Sequence, residues 1–235
     1  MSCKIGLITI GQAPRSDITQ DIRAVLGDSV ELVEAGALDF LGDSPVPEAL
    51  LHKDAGKHAV TYVSRLRDGR VVEMTEKALI PLLWLSIERL RAEGVTILGL
   101  LCTGEYRALA KARDLIRPYP LIHNLVDAVL PEGHLGVIVP VESQVRLKQR
   151  EWAAVNRCCT VEWASPYKQD SSGAQKSRLL EVARAMEDNG VELIVLDCLG
   201  FSMEMKEMIQ QVVKCPVLLP RSVLAWTLRE LCRQA

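Results

Sequence analysis

Two segments of the chain are similar to one another, and each ends beside a cysteine. Residues 94–104 read Gly-Val-Thr-Ile-Leu-Gly-Leu-Leu-Cys-Thr-Gly, and residues 190–200 read Gly-Val-Glu-Leu-Ile-Val-Leu-Asp-Cys-Leu-Gly. The β-branched and leucine-rich run in each is typical of a buried strand, with Cys102 or Cys198 where the strand ends. Open parallel sheets bind ligands at the carboxyl ends of their strands. The pattern therefore predicts two matched strand-end thiols, which two similar halves could bring to one cleft.

Two thiols in such positions favour proton-transfer chemistry. A cysteine between a buried strand and a helix lies near backbone N–H groups and the positive end of the helix dipole, which lower the pKa of a thiol. On opposite faces of one carbon, one sulfur could act as thiolate base and the other as thiol acid. This suits removal of a proton next to a carboxylate and its return from the other side. We expect no metal and no organic cofactor, provided that hydrogen-bond donors stabilise the enolate-like charge.

The loops after the strand ends carry the candidate substrate-binding groups. Arg15 is the preferred carboxylate anchor, because a guanidinium can bind a carboxylate through two parallel hydrogen bonds. The other candidates follow predicted strands of the first or second half: Gln12, Ser16, Thr103, Gly104, Glu142, Ser143, Leu199 and Gly200.

The cysteines, Arg15 and Glu142 also have purely structural interpretations. A single cysteine in an apolar run is commonly an inert core residue, and Arg15 could be a solvated residue at the start of a helix. Asp197 would raise the pKa of the neighbouring Cys198 thiol by repulsion. Alternation along the strand should, however, direct the two side chains to opposite faces. Glu142 could simply complement a helix dipole.

The remaining cysteines, histidines and tryptophans are assigned to structure. The chain has seven cysteines, an odd number, and we expect reduced thiols. The thiols assigned to structure are Cys3, Cys158, Cys159, Cys215 and Cys232. The histidines are scattered through expected surface segments, at His52, His58, His123 and His134, so no metal site is expected. The tryptophans are expected in the core: Trp84, Trp152, Trp163 and Trp226.

The composition is that of an ordinary globular protein. The chain has 235 residues, 49% of them hydrophobic and 25% charged, with a formal net charge of -2. Such a balance gives no sign of nucleic-acid binding. No run approaches the roughly 18 apolar residues of a membrane span, and the start lacks the pattern of a signal peptide. We therefore expect a cytoplasmic protein with no membrane partner.

Strands and helices alternate in the same order twice along the chain. In the first half the pattern predicts a strand at 4–10, a helix at 18–26 capped by Ser16 or Asp17, and a strand at 30–37. A β-hairpin turning at Asp68-Gly69 and a helix at 77–93 after Thr75 then lead to the first cysteine strand. The second half is predicted to contain strands at 136–140, 158–164, 191–197 and 216–219, and helices at 141–154, 171–189, 201–213 and 222–234.

This order predicts an α/β fold of two pseudo-symmetric Rossmann-like domains, each a mainly parallel sheet flanked by helices with right-handed crossovers. The first domain is expected to span 1–117, with the hairpin as an insertion at about 42–74. The second is expected to span 118–219, beginning at a break formed by Pro118-Tyr-Pro120. The closing helix, at 220–235, should pack on the first domain, because chain ends commonly lie close together.

Three motifs carry a resemblance to a known family. They are Ile8-Thr-Ile-Gly11 with Pro14, residues 136–142 (Gly-Val-Ile-Val-Pro-Val-Glu), and residues 196–201 (Leu-Asp-Cys-Leu-Gly-Phe) followed by Pro216-Val-Leu-Leu219. On these the chain resembles AroM family proteins, a family similar in turn to the aspartate/glutamate racemase superfamily. That superfamily includes hydantoin racemases, maleate isomerases and arylmalonate decarboxylases.

The resemblance implies an Asp/Glu racemase-like fold with an interdomain cleft and one catalytic cysteine from each domain. By position these would be Cys102 and Cys198, with Thr103 as a neighbouring carboxylate-binding hydroxyl. The superfamily racemases usually carry Cys-Asn-Thr and Gly-Cys-Thr at these places. Here the corresponding residues are Cys102-Thr-Gly and Asp197-Cys-Leu-Gly, so the hydroxyl after Cys198 is replaced by Leu199.

The expected function is a cofactor-independent racemase, epimerase or isomerase acting on a small carboxylate-bearing molecule through both thiols. A second interpretation is a decarboxylase or isomerase with one essential thiol, Cys198. A third is a non-catalytic small-molecule binding or sensor protein on a racemase-like scaffold. A homodimer is the default expectation for the oligomeric state.

Overall fold

The chain folds into two compact units, each built around its own parallel sheet. The computed structural model describes residues 3–51, 61–154, 158–167 and 174–232. The first unit contains the chain up to Pro120 together with the segment from Leu224 onward, and the second contains Leu121–Val223. His52 and His58, and the start of the helix predicted from Ser171, lie outside the described residues.

The first unit holds a four-stranded parallel sheet and a separate antiparallel hairpin. Its strands are β1 (Lys4–Thr9), β2 (Glu31–Gly36), β3 (Thr61–Arg65), β4 (Val71–Thr75), β5 (Ile97–Leu100) and β6 (Leu115–Ile116). The sheet order is β2-β1-β5-β6, and β3 pairs with β4. Ile8 of β1 lies opposite Leu100 of β5 in the parallel register. The loops after β1 and β5 therefore leave the sheet at the same edge.

Two helices of the first unit bury one apolar face each, as their periodicity predicts: α1 (Ser16–Leu26) and α2 (Glu76–Ala92). A third helix, α3 (Pro118–Val129), leads into the second unit. The predicted stripe of α2 is fully buried: Leu79, Leu83, Ile87 and Leu90. Thr75 caps α2, since its Oγ1 accepts a hydrogen bond from the Ala78 N–H. The prediction that Ser16 or Asp17 caps α1 is wrong: Arg15 is the cap, and its carbonyl accepts the first helical hydrogen bonds.

The second unit repeats the arrangement. Its strands are β7 (His134–Val139), β8 (Cys158–Trp163), β9 (Leu193–Leu196) and β10 (Val217–Leu218). Its helices are α4 (Val145–Ala153), α5 (Ala174–Asp188), α6 (Met203–Gln210) and α7 (Pro220–Leu231), the last of which continues into the first unit. The sheet order β10-β9-β7-β8 equals that of the first unit read in reverse. In both sheets the first strand is central and the strand before the cysteine is its neighbour, which confirms the predicted α/β fold.

Two elements near the middle of the chain were not predicted. The sequence predicts a break at Pro118 and Pro120, whereas α3 begins at Pro118. Proline is tolerated in the first turn of a helix, because the N–H groups there have no intrahelical partner. The short strand β6, which precedes α3, was also missed. Among the tryptophans, Trp226 is 53% exposed on α7, so its predicted core position is wrong.

Cys3 and Cys232 form a disulfide, which corrects the prediction of seven reduced thiols. Their Cα atoms are 5.9 Å apart although 229 residues separate them in the chain. The bond joins the residue before β1 to the end of α7, within the first unit. In the described part of the chain, the helices are too short or too polar to cross a membrane.

Candidate active site

The first predicted thiol lies in a short loop after β5. Cys102 Sγ accepts a hydrogen bond from the Gly104 N–H at 3.4 Å and lies 3.5 Å from the Tyr106 hydroxyl. Tyr106 is fully buried. Burial, together with the nearby Cys102 and Tyr62, raises the pKa of the Tyr106 hydroxyl well above its usual value. This hydroxyl therefore stays protonated at neutral pH and can donate a hydrogen bond to the sulfur.

The hairpin covers this loop and the loop after β1. The Tyr62 ring in β3 packs against the Tyr106 ring with centroids 4.7 Å apart, and it would collide with any Cβ at Gly104. Ser64, also in β3, occupies the space that a side chain at Gly11 would need. Glycine is therefore required at both positions by close approach of the hairpin.

The second thiol has the same kind of surroundings. Cys198 Sγ accepts a hydrogen bond from the Gly200 N–H at 3.3 Å and lies 3.1 Å from the Tyr167 hydroxyl. A Cβ at Gly200 would lie 2.7 Å from the Tyr167 ring. In both units, then, the cysteine is followed two residues later by a glycine that donates to the sulfur and is covered by an aromatic ring.

A buried arginine that the sequence did not single out holds the second loop. Arg221, at the start of α7, is 1% exposed. Its Nε and Nη2 donate to the Leu199 carbonyl at 3.0 and 2.7 Å, and Nη2 also donates to the Gly200 carbonyl at 3.2 Å. Charge-assisted hydrogen bonds of this kind fix the backbone directly beside Cys198.

The Asp197 carboxylate contacts Trp152 and Lys148 of the same unit. Its Oδ2 accepts a hydrogen bond from Trp152 Nε1 at 3.1 Å and lies 3.2 Å from Lys148 Nζ. Lys148 Nζ is also 2.9 Å from Glu151. Burial alone would lower the pKa of Lys148, but Asp197 and Glu151 together raise it above its ordinary value. Asp197 is therefore part of a largely buried ion-pair cluster with Lys148 and Glu151, and it is the residue directly before Cys198.

Two of the three residues expected to bind substrate after β1, Gln12 and Arg15, have partners inside the first unit. The Gln12 side chain donates to the Leu38 and Gly42 carbonyls, and its oxygen accepts from the Arg67 N–H. Arg15 is 4% exposed, and its Nε and Nη2 bind the two Asp17 oxygens at 2.9 and 2.8 Å. The carboxylate-binding fork of Arg15 is thus already occupied by Asp17.

The candidate substrate-binding residues lie in two groups, one in each unit. Parallel neighbours bring Gln12 and Arg15 to the same sheet edge as Thr103 and Gly104, both buried. Ser16 is exposed as the first residue of α1. In the second unit, Glu142 and Ser143 lie exposed in a 3₁₀ turn after β7. The buried Leu199 and the half-buried Gly200 follow the neighbouring β9.

The expected helix after each cysteine is present in the second unit only. α6 begins at Met203, and Ser202 caps it by accepting a hydrogen bond from the Met205 N–H. Cys102 is followed instead by a 3₁₀ turn at Arg107–Lys111, so the predicted contribution of a helix dipole to its ionisation is wrong. At Cys102 the donors found beside the sulfur are a glycine N–H and a tyrosine hydroxyl.

The remaining free thiols are Cys158, which is exposed, and Cys159 and Cys215, which are half-buried. Burial, reinforced by Cys158, raises the pKa of the Cys159 thiol to about 12. Burial also raises the pKa of Cys215, with Glu187 adding to the effect. Within the described residues, no cluster of three or more His, Cys, Asp and Glu side chains is arranged to hold a metal ion.

Substituting Gly200 with alanine is expected to lower the free energy of unfolding by about 1–3 kcal/mol, because the new Cβ overlaps the Tyr167 ring. Denaturant unfolding measures the change. The control is the same substitution in a Tyr167→Ala background, where the cost should largely vanish. An equal cost in both backgrounds would mean that Tyr167 does not pack on this loop.

The comparisons with known proteins agree with this architecture. The fold is similar to allantoin racemase from Klebsiella pneumoniae, with a TM-score of 0.63, 17% identity, and coverage of 98% of this chain and 87% of that one. It is similar to arylmalonate decarboxylase, with a TM-score of 0.61, 15% identity and coverage of 97% and 92%. It is also similar to the maleate isomerase Iso from Pseudomonas putida S16, with a TM-score of 0.58, 11% identity and coverage of 97% and 92%.

At these identities the likeness concerns the fold alone. A search of curated protein sequences found no significant match. The family model described as AroM protein, in contrast, matches residues 5–232. That match includes both cysteine loops, both sheets and the connecting helices, and the chain therefore belongs to the AroM family.

Proposed function

We propose that this AroM family protein is a cofactor-independent isomerase of the racemase or epimerase type that acts on a small carboxylate-bearing substrate. Cys102 and Cys198 would be its acid/base pair. The observation that carries the proposal is the matched pair of loops, in which each sulfur accepts a glycine N–H and lies beside a tyrosine hydroxyl. Donors at a sulfur favour the thiolate, which is the form able to act as a base.

The proposed step is a proton exchange at the carbon next to the carboxylate. The thiolate of one cysteine takes the proton, and the electron pair of the C–H bond moves into an enolate-like system. The thiol of the other cysteine returns a proton to the opposite face, which leaves the two cysteines with exchanged protonation states. Transfer of one proton through solvent then restores the starting form.

The substrate charge needs a stabilising group, and Thr103 is the proposed one near Cys102. Thr103 is adjacent to Cys102 and carries a hydroxyl, whereas Leu199 next to Cys198 does not. Arg15 remains a further candidate for the carboxylate, although a substrate would have to share its guanidinium with Asp17. The unequal residues after the two thiols suggest a substrate that is polar on one side and less polar on the other.

The structural neighbours include several classes of enzyme, and they do not decide which reaction this protein catalyses. Proteins named as a racemase, a decarboxylase and an isomerase share this fold, so the fold alone does not select among these outcomes. A single-thiol decarboxylase or isomerase using Cys198 is the second candidate. It is favoured by the helix α6, which follows Cys198, and by the shorter contact of Cys198 with a tyrosine.

The test is solvent exchange with a panel of small substrates. Allantoin, D- and L-glutamate, maleate and an arylmalonate would be incubated with the protein in D₂O and followed by proton NMR and chiral chromatography. We expect deuterium to enter one class of compound at the carbon beside the carbonyl or carboxylate. The Cys102→Ala/Cys198→Ala double variant is the control, and it should show no incorporation.

A sensor protein would give a different result. A compound would then raise the unfolding temperature in proportion to its binding without any deuterium entering it. That combination would contradict catalysis and support the non-catalytic interpretation.

A further inference from the structure

We propose that the hydroxyls of Tyr106 and Tyr167 are dedicated positioning groups that hold Cys102 and Cys198, respectively, as thiolates. This inference rests on the proposed function only in naming these two thiols as the reactive ones. Each sulfur lies beside one tyrosine hydroxyl, at 3.5 Å for Cys102 and 3.1 Å for Cys198. Each also accepts a glycine N–H, at 3.4 and 3.3 Å.

Two hydrogen-bond donors at one sulfur favour the thiolate over the neutral thiol. A thiolate accepts hydrogen bonds from several directions, whereas a neutral thiol is a weak acceptor. Donors that bind the charged form more strongly than the neutral form shift ionisation toward the charged form. The raised pKa of Tyr106 supports this role, because a hydroxyl that stays protonated remains a donor.

The two units reach this arrangement by different routes. Tyr106 follows its cysteine by four residues, whereas Tyr167 precedes its cysteine by 31 and lies after β8. In the first unit the packing over glycine and the contact with sulfur are divided between Tyr62 and Tyr106, while in the second Tyr167 does both. The sequence positions of the tyrosines differ, but in both units a tyrosine hydroxyl contacts the sulfur. Packing alone would not require this hydroxyl, because phenylalanine could fill the same space.

The arrangement also separates these thiols from the rest. Burial raises the pKa of the Cys159 and Cys215 thiols, which favours their neutral form. Cys158 is an exposed free cysteine and serves as an internal reference for alkylation. We therefore expect Cys102 and Cys198 to react faster with an alkylating agent at neutral pH than their burial would suggest.

The experiment is site-resolved alkylation of the full-length protein with iodoacetamide between pH 6 and 10, read by peptide mass spectrometry. Tyr167→Phe should shift the pH–rate profile of Cys198 alkylation upward by about one pH unit, so that alkylation is about tenfold slower at pH values where most of the thiol is still protonated. The difference should disappear at high pH, where the thiol is ionised in both proteins. Tyr106→Phe should do the same to Cys102. Alkylation of Cys158 should be unchanged in both variants.

Tyr62→Phe is the matched control for Tyr106→Phe. It removes a hydroxyl from the other ring of the same aromatic pair, and the Cys102 rate should stay close to that of the wild type. Circular dichroism and thermal unfolding would establish that the phenylalanine variants fold. Identical pH profiles for wild type and Tyr167→Phe, or rates lowered equally at all pH values, would overturn the proposal.

The assay contains no substrate, so its result is independent of the proposed function. A pH shift in the phenylalanine variants without solvent exchange in any compound of the panel would support the tyrosine role and contradict the isomerase. Exchange activity with no pH shift would support the isomerase and contradict the tyrosine role.

Discussion

Replacing either Cys102 or Cys198 with alanine is expected to lower the rate of solvent-deuterium incorporation by about 10²–10⁴-fold, the usual contribution of a general acid or base. Each variant lacks one of the two groups that must act on opposite faces of the substrate carbon. NMR with the substrate identified from the panel gives the rate. The rate of racemisation should fall at least as far as the rate of deuterium incorporation, because racemisation needs both thiols.

The matched control is Cys158→Ala, which removes an exposed free thiol at the start of β8 and should leave the rate unchanged. Full activity in Cys102→Ala together with inactive Cys198→Ala would contradict the paired mechanism and favour a single-thiol enzyme. Full activity in both alanine variants would contradict thiol chemistry altogether.

Replacing Lys148 with methionine is expected to lower the free energy of unfolding by about 3–5 kcal/mol, the cost of breaking a buried ion pair from one side. Lys148 is 3% exposed, and its loss leaves the Asp197 and Glu151 carboxylates without their shared cation. Denaturant unfolding at pH 7 measures the effect. The pKa of Lys148 is raised in the folded protein. The stabilisation that results is fully present at pH values below the ordinary pKa of lysine, and it is lost only as the pH rises through the pKa of Lys148 in the folded protein.

Lys176→Met is the matched control, because Lys176 pairs with Glu204 on the surface, where both side chains are more than half exposed. We expect it to cost less than about 1 kcal/mol. Equal costs for Lys148→Met and Lys176→Met would show that the buried cluster does not stabilise the second unit.

The sheets and the two thiols could be predicted because their signal is local. A buried parallel strand is a continuous apolar run, and the runs before Cys102 and Cys198 are similar enough to reveal the repeat. The apolar stripe of α2 follows equally from spacing along the helix. The prolines at 118 and 120 misled the prediction of α3, because proline is compatible with both a break and a first helical turn.

The partners of the thiols could not be predicted because they come from distant parts of the chain. Tyr62 covers Gly104 from a hairpin inserted far upstream, and Arg221 reaches Leu199 from the following helix α7. One sequence signal was available. A glycine two residues after each cysteine indicates close approach of another group, but it does not identify the group.

The disulfide and the exposed tryptophan illustrate the same limit. Cys3 and Cys232 lie at opposite ends of the chain, and only the fold brings them together. Trp226 falls in an apolar-periodic segment, yet α7 directs it outward, where the Arg229 guanidinium lies 5.2 Å from the centre of its ring. Periodicity indicates that a helix has a buried face, and the packing of neighbouring elements decides which residues belong to it.

The most direct test of the paired-thiol mechanism compares deuterium in product and in recovered substrate early in a reaction in D₂O. With two thiols acting on opposite faces, the product stereoisomer receives its proton from a thiol that has exchanged with solvent. We therefore predict deuterium in nearly all of the product and almost none in the recovered substrate. Equal deuterium in both, or product that keeps the original proton, would contradict the assignment of Cys102 and Cys198 as an acid/base pair.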